Sequence, residues 1–331
     1  MRKDDERGVA LLLALLVVSL LTALILEFDA EARREYREAA AFRDHYKAGM
    51  LTRAAVQAAG MLLQLDLLKD NKSGEKYDGP MDPWTIPIKN QPIGDGLLSA
   101  QIQDERGKLN LNDLAVSEGD QIQQKARTER VRRLFELLHL TPDLVDALID
   151  WMDKDDNPQS AGAESLHYKS LRPPYRAANA PLQSLGDLKL IKGFTPDIID
   201  RLLRYVTVYP TEGGSPVNIN TADPLVIQAL DPEITQAMAT EIAQGRPFKT
   251  KEDLSRVGSF VDIGAKLRAS GTIYDVKTEY FSAELTITVN ESTKKAVAVL
   301  HRDANKGDIT VKYLGPFREL PTGQVRSQGH G

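Results

Sequence analysis

Residues 9–26 read VALLLALLVVSLLTALIL, eighteen residues without a charged side chain. As an α-helix this run would be about 27 Å long, close to the roughly 30 Å of a bilayer hydrocarbon core. The next segment, EARREYREAAAFRDHYKAGMLTRAAVQAAGMLLQLDLL, has no Pro, and its apolar residues recur at near-helical spacing. The sequence therefore predicts one long helix over 9–68, transmembrane in its first part and amphipathic in the rest.

A cleaved secretory signal is the other interpretation of such a run. No small-x-small cleavage site follows it, and the helical pattern continues into polar residues. The sequence therefore favours a retained N-terminal anchor followed by a water-soluble domain.

The composition excludes several classes of function. The 331-residue chain has no cysteine, which rules out disulfides, thiolate catalysis and zinc bound through sulfur. Its formal charge of -5, with acidic and basic residues mixed along the chain, predicts no broad nucleic-acid surface. The sequence has neither a Gly-x-Ser-x-Gly elbow nor a phosphate-binding glycine loop, and its five His residues are scattered. We therefore do not expect an enzyme.

The water-soluble part has strand patterns at both ends and helical patterns between them. LLSAQIQDE at 97–105 predicts a strand, and three alternating segments after about residue 273 predict an antiparallel meander. Each piece alone would expose an apolar face, so we predict one sheet built from 69–116 and 268–331 and packed on the N-terminal helix. The predicted fold is α+β, with a large all-α insertion over 117–267.

The predicted insertion contains an internal repeat. LTPDLVDALIDWM at 140–152 matches FTPDIIDRLLRYV at 194–206, and LDPEITQAMATEI at 230–242 is a weaker third copy. Each copy begins with Thr or Asp followed by Pro, which predicts an N-cap and a first helical residue. Helical hairpins stacked in one core are the favoured interpretation.

The leader before the apolar run, MRKDDERG, has three basic and three acidic residues and ends at Gly8. It resembles the class III signal of type IV pilins and type II secretion pseudopilins. The resemblance implies that a prepilin peptidase removes residues 1–8 by cutting between Gly8 and Val9. The membrane helix would stay attached and its new N-terminus would be methylated.

Leu13 would be the fifth residue of the processed chain. Most members of that superfamily have Glu there, which compensates the N-terminal charge of a neighbouring subunit. A buried carboxylate without a partner is costly, so a subunit with no neighbour above it has no use for one. In lacking this Glu the chain is similar to the K-type minor pseudopilin of the type II secretion system. On the leader alone, an ordinary signal anchor is an equal alternative.

The densest acidic segment is DWMDKDDNPQSAGAESLHY, which starts at Asp150. So many carboxylates at the negative pole of a helix end need a compensating positive charge. Calcium takes about six to eight oxygen ligands from flexible loops, although the spacing here is not that of an EF-hand. The residues alone leave two interpretations open, a calcium site or a solvated acidic loop that caps a helix.

A wider set of motifs, covering nearly the whole chain, resembles the K-type pseudopilin signature in its order. These motifs are DERGKLNLN at 104–112, DWMDKDDNP at 150–158, PPYRAAN at 173–179 and VNINTA at 217–222. The resemblance implies a pilin-like fold whose inserted domain binds structural Ca²⁺. The candidate ligands are Asp150, Asp153, Asp155, Asp156 and Glu164, with Asn179 as a weaker candidate.

The same resemblance implies a role in assembly. The chain would cap the tip of the periplasmic pseudopilus and help initiate its assembly for protein export across the outer membrane. Its partners would be the I- and J-type minor pseudopilins, contacted through the N-terminal helices. It would cross the inner membrane once, with the globular part in the periplasm.

Two alternatives come from other protein classes. SPVNINTADPLVIQAL and GRPFKTKEDLSRVGSF resemble the helix-hairpin-helix domains of membrane-anchored competence DNA receptors. The phosphate-binding turn of such hairpins needs glycines, whereas residues 229–233 here are Ala-Leu-Asp-Pro-Glu. We therefore expect no nucleic-acid binding. A minor pilin of a type IV pilus is the other alternative.

Overall fold

The protein is described here from a computed structural model, which covers residues 2–115, 121–258, 264, 267 and 274–316. The α-helices are α1 (Arg2–Ser73), α2 (Gln121–Leu137), α3 (Leu144–Met152), α4 (Ser165–Lys169), α5 (Pro196–Leu202), α6 (Pro224–Ala229) and α7 (Gln236–Gln244). The strands are β1 (Ile88–Ile93), β2 (Gly96–Asp104), β3 (Leu109–Asn110), β4 (Val206–Thr207), β5 (Val217–Asn218), β6 (Tyr274–Asp275), β7 (Tyr280–Val289), β8 (Ser292–Arg302) and β9 (Ile309–Pro316).

The long N-terminal helix is confirmed and extends slightly beyond the predicted 9–68. It ends at Ser73, where Gly74 adopts a left-handed φ of 74° and its N–H donates to the carbonyl of Asp70. A left-handed glycine is a common helix terminator, because it has no β-carbon to clash. The C-terminal half of α1 packs on the sheet through Ala48, Ala55, Val56, Ala59 and Leu63.

One five-stranded sheet is formed by both ends of the water-soluble part, as predicted. Its order is β1-β2-β7-β8-β9, and each neighbouring pair is antiparallel. Strand β1 was not predicted, because Pro92 lies within it. Pro92 is tolerated because β1 is an edge strand, where proline removes no hydrogen bond of the sheet interior.

The helical region is inserted between two neighbouring strands. Asp104 at the end of β2 pairs with Phe281 in β7, and the Glu105 N–H donates to the carbonyl of Tyr280 at 2.9 Å. Residues 106–279 therefore leave and rejoin the sheet at one point. The predicted insertion, 117–267, falls within this crossing, and residues 117 and 268 lie outside the described part of the chain.

The inserted region is helical around a large apolar core, but it also has two short parallel strand pairs, β3 with β4 and β5 with β6. The sequence pattern did not predict these strand pairs. Two similar asparagine motifs stabilise them. The Asn112 Nδ2 donates to the carbonyls of Leu182 and Val208, both at 2.9 Å. In the second motif, the Asn220 Nδ2 donates to the carbonyl of Phe248 at 2.8 Å. Each buried asparagine fastens a neighbouring loop beside its short strand.

The helical repeat is confirmed in its second copy and displaced in the other two. Thr195 caps α5, with Pro196 as the first helical residue, as predicted. The third copy was wrong in its start: Asp231 closes a turn by accepting from the Glu233 N–H at 2.9 Å, and Thr235 caps α7. In the first copy, Thr141 precedes a turn, and α3 begins at Leu144.

Candidate metal centre and assembly helix

The acidic segment follows the end of α3 and returns to it. Asp150 lies in the last turn of α3, and Glu164 is the N-cap residue of α4. The ring of Trp151 packs edge-to-face on Tyr168 at 5.1 Å, and Tyr168 stacks on Tyr175 at 5.3 Å. These aromatic contacts hold the two ends of the loop against each other.

Three of the predicted carboxylates meet in this loop. One carboxylate oxygen from each of Asp150, Asp153 and Glu164 lies within 4.8 Å of the other two. Asp150 and Glu164 are buried, and Asp153 is half-buried. The Gln159 N–H donates to Asp150 Oδ1 at 3.0 Å, which fastens the middle of the loop to the helix end.

Burial is the main reason why the carboxyl groups of this centre have raised pKa values. It raises the pKa of Glu164 to about 7 and the pKa of Asp153 to about 6, and the neighbouring carboxylates add to both shifts. The pKa of Asp150 is raised for the same first reason. When all three carboxylates are ionised, the positive charges of the protein around them are too few to offset their negative charge.

Several buried oxygens of this centre accept no hydrogen bond from the described residues. No described residue donates a hydrogen bond to four buried oxygens in and near this centre: Asp153 Oδ1, both carboxylate oxygens of Glu164, and Asn179 Oδ1. Lys192 approaches the loop, but its Nζ donates to the carbonyls of Ala161 and Gly162, at 3.2 and 2.9 Å. An all-oxygen donor set suits a hard cation such as Ca²⁺.

The other predicted ligands lie differently. Asp155 and Asp156 are exposed and are not part of the three-carboxylate group, and Asp155 Oδ1 accepts from the Asn157 N–H at 2.8 Å. Asn179 is held at the helix end by its N–H, which donates to the Trp151 carbonyl at 2.9 Å. The loop alone thus gives three close carboxylates, and Asn179 is bonded through its backbone to the same helix end.

The first part of α1 projects away from the globular part. From Ala10 to Ala39 its side chains are exposed, and Leu13 is 57% exposed. An 18-residue window of this helix has a mean hydropathy of 2.7 and no buried residue, so its length and composition suit a membrane span. The surroundings of Gly8 and Val9, the predicted processing residues, lie outside the described residues.

Sequence reasoning missed a second buried carboxylate group, formed by Asp66, Asp78 and Asp82. These residues lie in a helix end and an irregular segment, without a compact acidic motif. Their counter-charge, Arg302, is far away in the sequence. No local pattern could have indicated this group.

Comparisons with known proteins agree with this architecture. The models of type II secretion system protein K match residues 107–211 and 217–273. Protein K of Pseudomonas aeruginosa is 30% identical over 315 residues, which cover 91% of this chain and 90% of that protein. The chain belongs to the type II secretion system protein K family. It is thus a minor pseudopilin, a structural component of a secretion system.

Other members of the protein K family align over most of their length. Protein K of Pectobacterium carotovorum subsp. carotovorum is 27% identical over 334 residues, or 96% of this chain and 99% of the relative. The fold matches a chain in the crystal structure of the GspK-GspI-GspJ complex from enterotoxigenic Escherichia coli. That match has a TM-score of 0.71 and 20% identity, and covers 84% of this chain and 98% of the other. The competence-receptor and type IV pilus alternatives gain no support from these matches.

Proposed function

We propose that this protein caps the tip of the periplasmic pseudopilus and helps to initiate its assembly, acting by assembly rather than catalysis. The observation that carries the proposal is the shape of the chain. The exposed apolar part of α1 can pack sideways against other helices. The same helix is joined to the sheet, and the large inserted region, residues 106–279, leaves this sheet and returns to it between β2 and β7. A single helix can join a bundle, while the bulky region blocks addition of another subunit above.

The I- and J-type minor pseudopilins are the proposed partners. The solved relative was crystallised as a GspK-GspI-GspJ complex, and the present chain has the same fold. Its exposed leucines, including Leu13, Leu16 and Leu20, offer no polar group for recognition. Close packing with other apolar helices is therefore the expected mode of contact, first in the inner membrane and then in the pseudopilus.

Single cysteines can test this packing, because the natural chain has none. Leu13→Cys, Leu16→Cys and Leu20→Cys would be combined with cysteines in the N-terminal helices of the partners, in cells that express the secretion system. Disulfide-linked heterodimers should form at positions on one helical face. Glu291→Cys, at the exposed tip of the β7–β8 hairpin, is the matched control. Equal adducts at Glu291, or none at the leucines, would contradict the proposed contact.

The centre at the end of α3 is proposed to hold a structural Ca²⁺. Asp150, Asp153 and Glu164 would supply carboxylate oxygens, and Asn179 an amide oxygen. Bound calcium would neutralise the loop charge and fix the loop on α3. The four unpartnered oxygens and the raised pKa values of Asp153 and Glu164 support this assignment.

The N-terminus is proposed to be processed between Gly8 and Val9, with the mature helix in the inner membrane and the globular part in the periplasm. Mass spectrometry of the protein from cells with the prepilin peptidase should find a chain that starts at Val9 and is methylated. A peptidase-deficient strain should retain residues 1–8. An unprocessed N-terminus in both strains would indicate an ordinary signal anchor.

A further inference from the structure

A second group of buried carboxylates lies where α1 ends against the sheet. Asp66 is in the C-terminal part of α1, and Asp78 and Asp82 lie in the segment that follows the helix. One oxygen of each lies within 4.8 Å of the others. The three residues are only 3%, 3% and 7% exposed, so water does not screen their charges effectively.

Arg302 balances part of this charge. Its guanidinium donates to Asp78 and, at 3.3 Å, to Asp66 Oδ2, as well as to the carbonyls of Leu63 and Thr278. Arg302 thus donates hydrogen bonds to two of the three carboxylates. The buried arginine orders the group, but it leaves an excess of negative charge.

Backbone donors hold two of the carboxylates in place. The Thr278 N–H donates to Asp78 Oδ2 at 2.9 Å, and the Gly79 N–H donates to Asp82 Oδ2 at 2.7 Å. These bonds fix the directions in which the carboxylates point. The group is therefore built into the fold rather than gathered from mobile surface side chains.

One oxygen of Asp66 accepts no hydrogen bond from the described residues. The Asp66 side chain is 1% exposed, and this oxygen is its Oδ1. Burial raises the pKa of Asp66 to about 7, and Asp82 adds to the shift. A buried carboxylate oxygen of this kind is stabilised by a proton, a hydrogen-bond donor or a cation.

We propose that Asp66, Asp78 and Asp82 bind a divalent cation of the calcium class, separate from the centre on α3. The donors are carboxylate oxygens without His or Cys, which selects hard cations over transition metals. Calcium tolerates the irregular geometry and mixed ligands that such a site offers better than magnesium does. The ion would join the end of α1 to the segment that follows it, and Arg302 already ties both to β8 through Asp66 and Asp78.

The chain has two tryptophans, and each lies beside one acidic group. Trp84 follows Asp82 by two residues and is buried, whereas Trp151 lies between Asp150 and Asp153. Trp151→Phe therefore leaves Trp84 as the reporter. Terbium replaces calcium at oxygen sites and emits when a nearby tryptophan is excited.

The test uses the full chain in detergent with Tb³⁺ and Ca²⁺ as the probes. In the Trp151→Phe background, excitation of Trp84 should produce Tb³⁺ emission that Ca²⁺ displaces. Asp66→Asn should abolish this emission and lower the number of Ca²⁺ ions counted by equilibrium dialysis by one per chain. Glu75→Gln, which removes an exposed carboxylate after α1, is the matched control and should leave both signals unchanged.

A second variant keeps the test valid if Asp66→Asn does not fold. Asp82→Asn keeps an acceptor for the Gly79 N–H and should also remove the Ca²⁺ ion, while circular dichroism confirms the fold. In Glu164→Gln, which impairs the α3 centre, Ca²⁺ should still bind at the second group. If Glu164→Gln binds no Ca²⁺, or if folded Asp66→Asn and Asp82→Asn keep the full count, the carboxylates hold protons and the proposal is overturned.

Discussion

A β-carbon built on Gly162 would lie 1.9 Å from Oδ2 of Asp150, far inside van der Waals contact. The acidic loop can therefore approach the end of α3 only because residue 162 has no side chain. The glycine is required here for space, since the clash is with a carboxylate that belongs to the proposed calcium centre.

Gly162→Ala should displace either Asp150 or the loop and disrupt the centre. We expect a loss of about 1–3 kcal/mol in stability, as for other overpacked sites. The part of the calcium-dependent shift in the thermal midpoint that comes from the α3 centre should disappear with it. Gly258→Ala is the matched control, because a β-carbon there would meet nothing within 4 Å. An unchanged calcium response in Gly162→Ala would show that Asp150 is not needed in the centre.

Removal of Ca²⁺ with EDTA and neutralisation of single carboxylates should distinguish the carboxylates that bind Ca²⁺ from those that do not. EDTA should lower the thermal midpoint of the wild-type chain, because a ligand present at about a hundredfold excess over its Kd contributes about 2.7 kcal/mol. Glu164→Gln should lower the Ca²⁺ contribution strongly, whereas Asp156→Asn should change it little, since Asp156 is exposed and outside the group. Equal losses in the two variants would favour a diffuse acidic loop over a defined site.

A carboxylate at position 13 should impair assembly. Leu13 lies in the bare apolar part of α1, and a Glu there would have no compensating subunit above it if this chain occupies the tip. Leu13→Glu should reduce co-purification of the I- and J-type pseudopilins from membranes, and Leu13→Ile should not. Full recovery of the partners with Leu13→Glu would argue for a neighbour that supplies a positive charge.

The crossing between β2 and β7 allows a precise deletion. Because Glu105 and Tyr280 are hydrogen-bonded neighbours, an Asn-Gly turn in place of 106–279 should close the two strands as a hairpin. This variant should still enter the membrane and contact its partners through α1, but it should change pseudopilus initiation or length. Electron microscopy of assembled filaments measures the change.

The matched control for that deletion is Glu291→Gly, which makes an Asn-Gly turn at the β7–β8 hairpin and keeps the inserted region. It should leave filament length unchanged. Normal filaments from the deletion variant would show that the inserted region has no capping role.

The sequence predicted the parts of the fold that have a regular period. The apolar run and the alternating strands indicated α1 and the sheet, whose two halves are joined because each needs the other's apolar face. Strand β1 escaped detection because Pro92 normally argues against a strand. The short parallel pairs escaped because their order comes from buried asparagines bonded to distant carbonyls, such as Asn112 to Val208.

The candidate site was predictable only where its residues are close in the chain. Asp150, Asp153 and Glu164 lie in one acidic segment, and it was the family resemblance, rather than the residues alone, that indicated them as ligands. Burial then decided which neighbours join them, and the exposed Asp155 shows that proximity in sequence is not enough. Asp66 and Arg302 meet only through the packing of α1 on the sheet, which no local pattern encodes.

The junction at Glu105 and Tyr280 also has a consequence for how this family can diverge. A segment that departs from and rejoins adjacent strands sets no constraint on the register of the sheet, whatever its length. Its size and surface can change by insertion or exchange while the filament-forming half keeps its dimensions. The inserted region can thus differ between members of the family while α1 and the five-stranded sheet stay the same.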